Sequence, residues 1–573
     1  MMKWWGWGAV GKEYPVQDKP GIFPFMKERC GIDEASYSPP VRLEEIRLPK
    51  PRVHAAFVED LKRALKPHQI KDDDETRLLH SYGKSFRDLL RIRSGIIERS
   101  PDLVLYPENH EEVVKLMALA NRHQVYLVTF GGGTNIVGGV EVDPQLDGMA
   151  VTLNLQRMNK IISLDPESCT ATIEAGILGP DLEEQLNAKG YSLGHFPDSF
   201  EFSTLGGWLA TRSAGMQSDR YGKIEDMVLS LRLVTPVGTL ETRTVPKAAT
   251  GPDLNQIVVG SEGTLGVITQ ATMKIHPCKE AEYRGVLFPD FVSGAKAIQN
   301  CMKADCMPET MRLSNDDETA FGFAIRGESH SGWLKKKLTD GVMAYLKSVK
   351  KFDFDKVCIV VVGFEGTPKE IARKRKKVMA ICRRHGGFDL GTSVGDKWFA
   401  GKYDYPYLRD FFMNYGGMVD VTETSVLWPN VIKLHDEVKR KLGAYLRKDA
   451  VPGYVGCHLS HSYSSGACLY FTFAVRREAG RELEQYLEAK KTVVDTLLEC
   501  GGALSHHHAI GYEHLPWFAE YTGETGLRAL RALKAALDPK GICNPRKLIP
   551  MDGESLEHFW PKEIIDARLV AHG

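Results

Sequence analysis

The spacing of apolar and polar positions divides the chain into regions of different character. From residue 101 the pattern is sharp. Val113, Leu116, Met117 and Ala120 repeat at helical spacing behind Asn109, which with Glu112 reads as a capping box. The run Val125–Phe130 reads as a strand that passes directly into Gly131-Gly132-Gly133. Further strands are predicted at Val151–Leu155 and Thr170–Ala175, followed by a helix that opens at Pro180 and stops at Gly190. Val228–Val234 and Thr239–Thr242 flank Pro236-Val237-Gly238 as a hairpin, and Val267–Ile275 alternates up to His276-Pro277. Beyond Pro277, longer and more charged helices alternate with strands at Val357–Phe364 and Ala467–Val475.

These periods predict an α+β chain of two domains with flanking segments. Residues 1–97, rich in Pro and charge, form an extension; 98–278 form the first domain; 279–510 form an α/β cap; 511–573 pack back on the first domain. Composition adds exclusions. Lys+Arg and Asp+Glu are equal at 74, so no overall field draws the chain to nucleic acid, and any anion preference must be local. Eleven cysteines without a CxxC pair read as reduced, intracellular thiols. The longest strongly apolar run, Val357–Phe364, is far short of the roughly 20 residues a membrane span needs. The N-terminus lacks the apolar core of a secretory signal, and Val570-Ala571-His572-Gly573 matches a peroxisomal tripeptide only loosely.

Candidate chemistry sits on three segments. Gly131-Gly132-Gly133-Thr134-Asn135 lets backbone N–H groups converge on an anion, yet it is neither G-x-G-x-x-G nor a P-loop. The stretch His195 to Gly215 is rich in glycine and small hydroxylated residues, and Ser261 to Ile268 repeats the pattern before a strand. Each alone is equally a ligand-free turn.

In order and spacing, the three segments together resemble the FAD domain of the vanillyl-alcohol oxidase superfamily, an FAD-binding (PCMH-type) fold, over residues 98–278. The resemblance implies FAD held by Thr129, Phe130, Gly131, Gly132, Gly133, Thr134 and Asn135; by Asp198, Ser199, Phe200, Glu201, Phe202, Ser203 and Thr204 with Thr211, Arg212, Ser213 and Ala214; and by Glu262, Gly263, Thr264, Leu265, Gly266, Val267 and Ile268. Many members attach FAD covalently through a His or Cys near the Gly-rich loop. Thr134 stands there instead, which implies dissociable FAD.

Across nearly the whole chain the sequence is similar to the alkyldihydroxyacetonephosphate synthase family. The matching pieces include Lys3-Trp4-Trp5-Gly6-Trp7-Gly8, Met311-Arg312-Leu313-Ser314, Tyr407-Leu408-Arg409-Asp410, Gly466 to Phe471 and Ser505-His506-His507-His508. That family exchanges the acyl chain of acyl-dihydroxyacetone phosphate for a long-chain fatty alcohol, with FAD as a covalent catalyst and no net redox change. The resemblance places Arg409 on the substrate anion and has Arg312 shape or charge the same pocket, a task suited to guanidinium forks. It assigns proton transfer to Tyr470 and to His506, His507 and His508, with His508 the reactive member, and puts His195 near the site.

No metal is expected at the three histidines, which lack a carboxylate or Cys at ligand spacing. Related D-2-hydroxyacid dehydrogenases carry a metal-binding His pair near Cys457-His458-Leu459-Ser460-His461. Here Tyr470 stands in place of the second member, which weakens the metal reading without removing it; His458 and His461 read first as core or pocket histidines, with a substrate or metal contact as the alternative.

The family also implies a homodimer and peripheral membrane contact, cytoplasmic in a bacterium and peroxisomal in a eukaryote. Two basic stretches, Trp333–Leu338 and Arg373–Lys377 with Arg383 and Arg384, offer either a docking face for anionic lipid or a solvated surface. The competing functions are an FAD-dependent D-2-hydroxyacid or alcohol dehydrogenase and a flavin-binding scaffold without activity.

Overall fold

The computed structural model describes residues 2–325, 341, 344–448, 451–551 and 553–564. The basic stretch Trp333–Leu338 and the terminal Val570–Gly573 lie outside these residues.

The first half is built on two sheets. Strands Tyr126–Phe130, Ala150–Asn154 and Leu103–Leu105 pair in parallel, with helix His110–His123 packed on them. Asn109 caps that helix as the sequence predicts, its Oδ1 accepting from Glu112 N at 3.0 Å. The reciprocal half of the box is absent, because Glu112 reaches one residue further back, to Glu108 N at 2.8 Å. The second sheet is antiparallel in the order Ile161–Asp165, Thr170–Glu174, Val267–Lys274, Val228–Thr235, Gly238–Glu241.

The first 97 residues are more than a covering layer. Ile70–Lys71 adds an antiparallel edge strand to the first sheet. Helix Phe86–Arg93 is fixed by Arg87 and Arg91, whose guanidinium groups hold opposite oxygens of the buried Glu141 carboxylate at 3.0 and 2.8 Å. Breaking such a pair would strand a charge inside the protein, so the segment is tied to the first half at one point of high cost. At the other end, Leu127 N donates to Ile542 O and Asn544 N to Leu127 O, both at 2.8 Å, so residues 542–544 lie along the outer edge of strand Tyr126–Phe130.

The second half is one seven-stranded antiparallel sheet in the order Phe388–Gly391, Glu280–Phe288, Cys358–Gly366, Thr310–Ser314, Gly453–Ser462, Gly466–Arg476, Gly417–Leu427. Side chains alternate across it. Val455, Cys457, Leu459, Leu469, Phe471 and Phe473 face a large core closed by helices Phe291–Lys303, Pro368–Arg384, Val431–Leu446 and Glu482–Glu499. Their neighbours Tyr454, His458, Tyr470, Thr472 and Ala474 face the first half and line a cavity. Helices Ile22–Cys30 and Tyr405–Asn414 cover the rest of that face through Phe25, Leu408 and Phe412. Asp219, on a short helix of the first half, accepts from Met311 N at 3.1 Å and Ser462 N at 2.6 Å, joining the halves beside the cavity. Among the described residues, no helix is long and apolar enough to cross a membrane.

Candidate active site

The cavity between the halves measures about 390 Å³, the size of a site for a small organic ligand. Its two walls are made differently.

The first wall is backbone. The chain leaves strand Tyr126–Phe130 through Gly131–Gly133 and passes under the segment 198–204. A Cβ on Gly132 would stand 1.4 Å from the carbonyl oxygen of Phe202, and Gly133 has φ +67°. Only glycine allows both the close approach and the left-handed turn. Thr129, Gly131–Asn135, Asp198, Ser199, Ser203, Thr204, Thr211, Ser213, Ala214, Glu262, Gly263, Gly266 and Ile268 line the cavity. This narrow trough of glycines and small hydroxylated residues fits an elongated dinucleotide such as FAD. The loop carries Thr134 and neither His nor Cys.

Several residues expected on this wall do something else. Phe130 packs its ring on His80 at 4.5 Å, beneath the glycine loop. Phe200 stacks on Tyr403 at 5.2 Å, and Glu201 pairs with Lys12 at 2.7 Å. Phe202 contributes the carbonyl that demands Gly132, while its ring meets Trp7 edge-on at 6.1 Å. Arg212 turns away and donates to the carbonyls of Val259 and Gln256 at 3.0 and 2.7 Å. Thr264 bonds the carbonyl of Ser261, and Leu265 and Val267 belong to the two cores. Glu262 borders the cavity, but its carboxylate accepts from Ile510 N and Gly511 N at 2.8 Å each and so ties down the segment after the histidines. Burial raises its pKa to about 7.

His195 does not reach the cavity. It is fully buried against Trp208, with Nε2 3.1 Å from Ser213 Oγ and Nδ1 without a partner. Burial drives its pKa to about 3, so the ring is neutral. It supports the wall from behind, and the sequence could not separate that place from one inside the pocket.

The second wall is side chains. Strand register sets His458 opposite Tyr470 and Tyr470 opposite Glu423, so the three form one row across adjacent strands. His458 stacks on Tyr470 at 4.7 Å. Glu423 organises the histidine loop. Its Oε1 accepts from Ser505 Oγ, His507 N and His508 N at 2.7, 3.0 and 2.9 Å, and its Oε2 accepts from His506 N at 2.7 Å. Despite burial, the nearby histidines and these donors hold its pKa well below the usual carboxylate range.

The loop so fixed splits the three histidines. His507 and His508 line the cavity, with Tyr470 edge-on to His508 at 5.3 Å. His506 does not line it; its Nδ1 faces His507 Nδ1 at 2.9 Å and its Nε2 faces the Tyr463 hydroxyl at 2.5 Å. Burial lowers the pKa of all three, which favours neutral rings that can take a proton.

The two arginines differ. Arg312 is committed: its Nη2 donates to Glu318 Oε1 at 2.6 Å and lies 3.0 Å from His458 Nδ1, which also faces Glu318 Oε2 at 3.1 Å. Arg312 lines the cavity where it can shape or charge the pocket, with its guanidinium shared with Glu318. Arg409 also lines the cavity and, among the described residues, its side chain has neither an ion pair nor a hydrogen bond, its Nε buried without a partner.

Glu318 and Glu423 were not singled out from the sequence. Glu318 sits in the first turn of helix Asp316–Ala324, its N–H capped by Asn315, and so reads as an ordinary helix-start acid. Glu423 reads as one more polar residue of an alternating strand.

Glu423, Cys468, His506 and His507 bring potential metal-ligand atoms within 4.8 Å of one another. The chemistry does not suit a metal. Both Glu423 oxygens are taken by N–H and O–H donors, and burial holds the Cys468 thiol protonated.

Residues 101–243 match a family model described as FAD binding domain, and residues 278–548 match one described as FAD linked oxidases, C-terminal domain. An alkyldihydroxyacetonephosphate synthase of Dictyostelium discoideum is 40% identical, covering 96% of this chain and 93% of its own. One of Trypanosoma brucei brucei is 41% identical over 96% of this chain and 92% of its own. A solved alkyldihydroxyacetonephosphate synthase superposes with a TM-score of 0.84 at 38% identity, covering 96% of this chain and 99% of that one.

Proposed function

The chain belongs to the alkyldihydroxyacetonephosphate synthase family, and we propose that it exchanges the acyl chain of acyl-dihydroxyacetone phosphate for a long-chain fatty alcohol, making the ether bond of ether lipids. The observation that carries this reading is the mixed lining of one cavity. Unpaired Arg409 and the Tyr470–His507–His508 group border the same space as Trp7, Phe25, Leu408, Phe412 and Tyr454. An amphiphile with an anionic head and a long apolar chain matches both.

FAD is the cofactor; the glycine-lined wall would hold it without a covalent bond, and when bound it would supply an electrophilic centre for the exchange. The chain's own residues do the rest. Arg409 grips the anion of the substrate with a fork that is in no ion pair among the described residues, the neighbouring Asp410 carboxylate being held by Trp7 N at 2.7 Å. Tyr470 and His508 border the same space, their rings edge-on at 5.3 Å, and are the groups that hold and move the proton of the attacking alcohol. The apolar lining excludes water, which would compete with the alcohol as nucleophile. Glu318 keeps Arg312 and His458 in place.

The test is incubation of the holoenzyme with acyl-dihydroxyacetone phosphate and labelled hexadecanol without an electron acceptor. Labelled ether is expected. Absence of ether, together with bleaching of the flavin by a D-2-hydroxyacid, would transfer the protein to the dehydrogenases. Acid precipitation should release the flavin into the supernatant.

Peripheral attachment to an anionic membrane belongs to the same reading. On helix Pro368–Arg384, Lys374 and Arg375 are held by Glu309 and Glu282, whereas Arg373, Lys376, Lys377, Arg383 and Arg384 are exposed. Binding to anionic but not neutral vesicles, abolished by charge reversal at these five, is the expected result. Homodimer formation rests on the family resemblance alone and is tested by light scattering.

A further inference from the structure

The proposed exchange has a consequence for proton balance. An ester and an alcohol enter; an ether and a fatty acid leave. A carboxylic acid ionises near pH 4, so at neutral pH each turnover releases one proton into a buried site. His507 and His508 can receive it, but neither can keep it.

We propose that His507, His506 and Tyr463 form a proton wire from the cavity to solvent. His507 lines the cavity. Its Nδ1 lies 2.9 Å from His506 Nδ1, so one of these nitrogens donates to the other. On the far side of the ring, His506 Nε2 lies 2.5 Å from the Tyr463 hydroxyl. Tyr463 is only half-buried, and Ser464 and Ser465 after it are exposed. The wire rests on the functional reading above and explains why the loop carries a histidine that never touches the cavity.

The transfer balances. Protonated His507 gives its Nδ1 proton to Nδ1 of neutral His506. His506 gives its Nε2 proton to the oxygen of Tyr463, and the original hydroxyl proton of Tyr463 passes to water. One positive charge leaves His507 and appears in solvent; rotation of the imidazole rings resets the wire. The charged and titratable neighbours suit this direction. Glu423 attracts a proton to His506 and His507, while Lys223, whose Nζ donates to His506 O at 2.6 Å, together with His461 and His508, discourages its staying. Around Tyr463 lie Glu225 and Asp226, whose carboxylates favour a departing cation, with Asp219 and the neutral Cys468 thiol beside them.

The experiment uses FAD-loaded Tyr463→Phe, which keeps the ring and removes the outer link. The expected result is a fall in kcat of about tenfold with KM for the acyl substrate and the flavin spectrum unchanged, a larger solvent isotope effect, and recovery of rate on adding free imidazole. His506→Asn removes the ring but keeps the backbone bond to Glu423, and should behave alike. A wild-type kcat in Tyr463→Phe would overturn the wire, as would a loss that imidazole does not rescue and that leaves the isotope effect unchanged. If the wild-type protein makes no ether, the functional reading fails; if it makes ether and both variants match it, only the wire fails.

Discussion

The two walls of the cavity are built on opposite principles. The cofactor wall is made by absence: glycines that let Phe202 cross the 131–133 loop, and small side chains that leave a trough. The substrate wall is made by presence: a buried carboxylate under the histidine loop, a paired arginine, an unpaired arginine and a tyrosine, drawn from strands and helices far apart in the chain. At Gly132 the first tolerates no added atom. The second is a balance of charges, which single changes upset and paired changes can restore.

The comparison breaks first at Gly132. Gly132→Ala would drive a methyl into the Phe202 carbonyl, a clash costing about 3 kcal/mol or more. The purified variant should be colourless, and retention of flavin absorbance would mean the loop relaxes as the other wall does. Arg409→Ala should lower kcat/KM about a hundredfold, as expected for losing one side of a buried charged contact, while the protein stays yellow. Loss of FAD would place Arg409 on the wrong wall.

Glu318 tests the balance of charges on the substrate wall. Glu318→Leu should cost about 3 kcal/mol of stability in urea unfolding by leaving Arg312 buried and unpaired. The double change Arg312→Leu with Glu318→Leu should recover much of it. A double variant weaker by the sum of the singles contradicts the charge argument.

The smallest effect lies behind the cofactor wall. His195 has its pKa lowered from 6.5 to about 3, so its stabilising contribution is whole above pH 6.5 and is lost as pH falls toward 3. His195→Gln should therefore lower the unfolding temperature at pH 7 but show a shallower decline between pH 6.5 and 4, with kcat little changed.

What could be read from the sequence follows the same division. Glycine loops are legible because the constraint is local: a strand running into Gly131–Gly133 announces a turn and a close approach before any partner is known. The boundaries of strands such as Thr170–Glu174 and Gly466–Arg476 lie within a residue or two of those read from alternation. The substrate wall is legible only where family motifs name a residue, as at Arg409, Tyr470 and His508. Its supporting groups are not. Arg312, Glu318 and His458 meet across segments separated by up to 146 residues, and no spacing rule joins them. His195 fails in the other direction, since the sequence shows a titratable ring but not the Trp208 face that screens it.

The row His458–Tyr470–Glu423 carries a last consequence. Because these residues share strands with the hydrophobic layer on the opposite face, the reactive groups and the oily interior are printed on alternate letters of the same text. An insertion of one residue within Gly466–Arg476 would turn Tyr470 inward and Phe471 toward the substrate. Evolution of this half can thus revise its chemistry letter by letter or lengthen its hairpin ends. It cannot shift the reading frame of the sheet.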